Sequence, residues 1–82
     1  MKDLRTLLQM SFTEMTVDER LAAVRDRLEN YSFHREWLRD HQQFDKRSSE
    51  YRWHKEKMTE SYEKMRSWFA SVGLEINPMP KI

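Results

Sequence analysis

Two pairs of side chains have the types and spacing for acid–base or metal chemistry. His41 with Asp45, and Glu50 with His54, stand four residues apart. On a helix each pair shares one face. Carboxylate–imidazole pairs on helices build metal sites in bundles. The motifs that make such sites specific, Glu-x-x-His and His-Glu-x-x-His, do not occur. In so charged a stretch, exposed ion pairs are the simpler reading. No metal and no cofactor are expected.

Nucleophilic chemistry fares no better. There is no cysteine, and the single glycine, Gly73, lies near the C-terminus, so no glycine-rich phosphate loop can form. The serines sit in no strand–turn–helix elbow. The chain is not expected to be an enzyme. What stands out instead is Trp53, set in the charged run YRWHKEKM between Arg52 and His54. A large aromatic that lies off a core face is a candidate contact for a partner. Placing it requires the elements that carry it.

Composition narrows those elements. The chain has 82 residues, 38% hydrophobic and 35% charged, with one glycine and two prolines. That supports one small domain, and turns are too few for a β-sandwich or barrel. The expectation is all-α. Fifteen basic and 14 acidic residues leave a net charge of +1, which is no footprint for binding nucleic acid by charge alone. The N-terminus lacks the apolar run of a secretion signal, and no stretch is long enough to span a bilayer. A cytoplasmic protein is the default reading.

Residues 3–10 predict a short helix with Asp3 as N-cap and Leu4, Leu7 and Leu8 on one face. Ser11–Met15 reads as a connector. Thr16 then opens a capping box with Glu19. Val17, Leu21, Val24, Leu28 and Tyr31 follow at helical spacing, which predicts a helix over about 16–30. Asn30 and Ser32 are poor helix formers, and the apolar register changes there, so a turn is expected near 30–33.

A second stripe runs Trp37, His41, Phe44, Ser48, Tyr51, Lys55, Met58, Tyr62, Met65, Phe69, Val72, in alternating steps of four and three. That is the heptad period of a coiled coil. It predicts a long helix over about 33–72, closed by Gly73 at the C′ position. Such a helix would be about 60 Å long. Ser48–Ser49 is the one candidate break in it. Residues 75–82, with Pro78 and Pro80, read as an extended tail after a single domain over 1–74.

A first helix of about 15 residues covers only part of a seam that long. The remainder, Met58, Tyr62, Met65, Phe69 and Val72, is the expected dimerisation face, and the expected state is a helical homodimer. A monomeric three-helix bundle with a break at Ser48–Ser49 is the alternative. In this register Trp53 is an f position, opposite the seam. The plain reading puts its ring over the stems of Lys57 or Arg52, or under the N-terminal helix. The functional reading makes it a binding anchor, with Arg52, Lys57, Tyr51 and Arg47 around it.

The expected function is therefore a non-catalytic protein-binding module. It would be a small adaptor or inhibitor docking on a larger complex, of the size common among phage or mobile-element antagonists of host machinery. The PMP tail is a second expected contact. The alternative is a nucleic-acid-binding regulator using Arg35, Arg39, Lys46, Arg47 and Arg52 beside the aromatics. Glu36, Asp40, Asp45, Glu50 and Glu56 lie among those cations and argue against a phosphate-facing stripe. No membrane role is expected.

Overall fold

The computed structural model describes residues 3–81. Met1 and Lys2, within the expected domain 1–74, and Ile82, within the expected tail 75–82, lie outside the described residues. The fold is all-α: α1 (Leu4–Gln9), a 3-10 turn (Phe12–Glu14), α2 (Val17–Asp40) and α3 (Ser49–Ser71). Helices α2 and α3 pack as an antiparallel hairpin, and residues 74–81 follow as an extended tail. Among the described residues no strand forms, and no helix is long and apolar enough to cross a membrane.

Each helix begins where its cap residue dictates. The Thr6 amide donates to Asp3 Oδ1 at 2.9 Å. Thr16 and Glu19 close a reciprocal capping box at 3.2 and 2.9 Å. Ser48 caps α3 by accepting from the Tyr51 amide at 3.2 Å. Gly73 ends α3 at φ +84°, with its amide donating to Ala70 and that of Leu74 to Phe69. These are the two bonds of a Schellman motif, which needs a left-handed residue at this position.

The break in the chain falls at 41–48 and not at 30–33. Asn30 and Ser32 stay inside α2, and the expected helices 16–30 and 33–72 become 17–40 and 49–71. The reason is tertiary. Asn30 Nδ2 donates to Ser61 Oγ at 2.5 Å across the hairpin, and this bond offsets its weak helix propensity. The real turn needs no glycine. Phe44 donates to the His41 carbonyl, and Asp45 Oδ1 accepts from the Arg47 amide at 2.9 Å in an Asx turn. With 24 and 23 residues the two arms are nearly equal, about 35 Å each, and cover each other along their length.

The seam also differs from the apolar pattern. On α3 the buried residues are Tyr51, His54, Met58, Ser61, Met65 and Trp68. They keep a three–four alternation, and the d positions Tyr51, Met58 and Met65 are as expected. The other row is 54, 61, 68 in place of 55, 62, 69. On α2 the buried face carries Glu19, Ala23, Tyr31, His34 and Leu38, while Val17, Leu21 and Leu28 are exposed. The hydropathy pattern misplaced both faces because the centre of the seam is polar: His34 meets His54, and Asn30 meets Ser61.

The open end of the hairpin is closed by the N-terminal segment. Leu7, Phe12 and Met15 are buried, and Phe12 stacks on Trp68 at 5.6 Å and meets Phe69 edge-on at 5.9 Å. Arg20 holds this segment in place, donating to the Phe12 carbonyl at 2.9 Å with its guanidinium over the Phe12 ring. The tail is held back along α3. Tyr62 Oη donates to the Asn77 carbonyl at 2.6 Å, Arg66 Nε donates to that of Ile76, and Met79 packs on the core.

Candidate functional site

All three histidines of the chain gather near the closed end of the hairpin, with two of its three tryptophans. His34 projects from the α2 seam and His54 from the α3 seam. They meet Nδ1 to Nδ1 at 2.7 Å, with only 4% and 7% of their surfaces exposed. A bond between two such nitrogens requires one to carry the proton and the other to offer its lone pair. Trp37 lies between His54 at 3.9 Å and His41 at 4.1 Å, nearly parallel to both. His41 Nδ1 is 2.7 Å from the Trp37 carbonyl and donates to it.

Two aromatics stand on this base and face solvent. Trp53 sets its edge against His34 at 5.2 Å and His54 at 4.9 Å. Phe33 sets its edge against His34 at 5.1 Å. Trp53 is 49% exposed and Phe33 60% exposed. The N-terminal segment covers Trp68, not Trp53. Phe33 and Trp53 come from different helices, so the patch exists only in the folded hairpin.

The electrostatics follow from the packing. Burial pushes the pKa of His34 down, and the charges of His54 and Lys57 add to this. Burial also pushes His54 down; Glu50 opposes the shift and His41 reinforces it. Both rings are thus favoured in the neutral form that their mutual bond requires.

The expected partner-contact residues divide between two surfaces. Trp53 belongs to the aromatic patch, and Lys57 lies on the same side of α3, 3.5 Å from Glu60. Arg47, Tyr51 and Arg52 instead line an open groove of about 840 Å³ of mixed charge, with Lys46 and Lys55 and also Glu56, Glu60 and Glu63. Tyr51 itself is a core residue. Sequence reasoning did not single out Phe33 or His34 as functional. The available signal was the recurrence of polar residues at heptad spacing, His54 and Ser61, which a hydropathy reading passes over.

The expected dimerisation residues serve the chain's own fold. Met58 and Met65 are buried, and Tyr62 and Phe69 are partly buried against the core; Val72 caps α3 and is exposed. The uncovered seam that motivated a dimer is covered by α2 and Phe12. Among the described residues no group of three or more His, Cys, Asp or Glu comes together to hold a metal ion.

The residues of the nucleic-acid alternative converge partly. Arg35 and Arg39 line a cavity of about 330 Å³ that Lys81 also enters. Lys46 and Lys55 line a neighbouring one of about 340 Å³ beside Lys81. The tail thus brings a further cation to the same end of the molecule. In comparisons with known proteins, no family model, no curated protein and no solved structure matches this chain.

Proposed function

We propose that this protein is a non-catalytic protein-binding module, an adaptor or inhibitor, whose partner docks on the Phe33–Trp53 patch. One observation carries the reading: two large aromatics from different helices stay about half exposed while their inner edges are fixed by a buried histidine pair. Rigid aromatic anchors dominate binding energy at interfaces, and anchors already held in place lose little entropy on binding. The homodimer expected through Met58–Val72 is not part of this proposal, because those side chains largely build the core.

A second reading has its own support. Of the cations of that reading, Arg35, Lys46, Arg47 and Arg52 make no ion pair among the described residues, nor do Lys55 and Lys81, while Arg39 lies 3.8 Å from Asp40. Cations outside ion pairs suit a phosphate backbone, while Glu36, Glu56, Glu60 and Glu63 line the same cavities and oppose it. A nuclease-treated affinity capture separates the two readings. A protein captured by wild type and lost with Trp53→Ala and Phe33→Ala supports the primary one. Capture of no protein, with nucleic acid retained only in a parallel sample left without nuclease and weakening steeply with salt, would replace it with the second.

A further inference from the structure

We propose that the His34–His54 pair is a proton-operated latch, which holds the Phe33–Trp53 face in its binding geometry when neutral and releases it on acidification. This rests on the reading of Phe33 and Trp53 as partner contacts, and adds how that contact is regulated.

The proton inventory defines the latch. In the neutral pair one imidazole donates its Nδ1–H, and the other accepts at Nδ1 and carries its own proton on Nε2. A first added proton goes to the free Nε2 lone pair of the donor ring, and the bond survives. A second can only go to the accepting Nδ1. That consumes the lone pair that makes the bond and leaves two N–H groups and two positive charges face to face. The pair joins the arms at this level together with Trp37 on His54 and Trp53 on His34, and all three contacts run through these two rings, so repulsion between them loosens α2 from α3 there.

The surroundings favour release over accommodation. From α3, Lys57 places positive charge near His34, and Glu50 provides an opposing charge at His54. From the end of α2, His41 adds a third imidazole on the far face of Trp37. Phe33, Trp37 and Trp53 pack the remaining sides with rings that cannot ionise. Trp53 rests on both histidines and Phe33 on His34, so their support moves when the pair parts. Trp68 sits at the opposite end of the hairpin against Phe12, away from any histidine, and serves as an internal reference.

The test is a titration of the free protein labelled with 5-fluorotryptophan. Its three tryptophans give three fluorine resonances, assigned with Trp53→Phe and Trp37→Phe. From about pH 8 to about pH 5, across the imidazole range, the Trp53 and Trp37 lines are expected to move together. Their midpoint should lie below the ordinary imidazole value of about 6.5, with Trp68 unmoved. His41→Gln should keep this response. A Trp53 line that stays still, or that moves only together with Trp68, overturns the latch. Loss of the response in His41→Gln assigns it to His41 and also overturns the latch. Partner capture is scored separately at neutral pH. Indifference to Trp53→Ala there overturns the binding site and leaves the latch standing on the titration.

Discussion

Asn30 and Ser61 are joined across the hairpin by a 2.5 Å hydrogen bond, one helical turn along α2 from the His34–His54 pair. Ser61 is fully buried, so its hydroxyl relies on this partner. Asn30→Ala is expected to cost about 1–3 kcal/mol, the penalty for stranding a buried polar group. The double variant Asn30→Ala/Ser61→Ala should cost less than the sum of the singles. Urea denaturation of the four proteins measures the coupling; strict additivity would mean that the bond does not contribute.

Stability should depend on pH through the histidine pair. Burial lowers the folded-state pKa of both His34 and His54 below the unfolded value. Between the two values the unfolded chain binds more protons than the folded one, so stability rises with pH. The full contribution is present above the unfolded value of about 6.5. It is lost progressively as pH falls from there toward the depressed folded values. Urea midpoints on either side of this window check the sign, and a flat profile would contradict it.

Trp53→Ala should weaken partner binding at least about tenfold, as expected for a hot-spot aromatic costing 2 kcal/mol or so. Arg47→Ala, on the separate groove, should leave binding within about twofold. Titration calorimetry with the captured partner compares them. A loss in Arg47→Ala with none in Trp53→Ala would move the interface to the groove that Arg47 lines.

Phe12→Ala should be among the most damaging substitutions. The ring is buried, stacks on Trp68 and lies under Arg20. Removing such a side chain costs about 3–5 kcal/mol, a large share of the total stability of a chain this short. Thermal unfolding followed by circular dichroism reads the effect. A small shift would mean that the N-terminal segment contributes little to the fold.

Gly73→Ala isolates backbone strain from packing. At φ +84° an added Cβ meets nothing within 4 Å. The cost should therefore be the left-handed penalty alone, about 1–2 kcal/mol, and Gly73→Asn should cost less. Denaturant midpoints order the three proteins.

What the sequence determined by itself was local. Asp3, Thr16 with Glu19, and Gly73 set helix ends because a cap acts on backbone groups within a few residues. The scarcity of glycine and proline set the helical class, and the seven-residue spacing of Tyr51, Met58 and Met65 set one row of the seam. The tertiary structure decided the rest. Asn30 and Ser32 looked like a break and became mid-helix, because Asn30 finds its partner 31 residues away. His34, His54 and Ser61 are polar yet became core, because the two Nδ1 atoms meet each other and the Ser61 hydroxyl meets Asn30 across the hairpin. Trp53 was legible as an aromatic off the core stripe. Phe33 and the histidine base beneath the patch were not, since no local spacing records which residues of one helix face those of another.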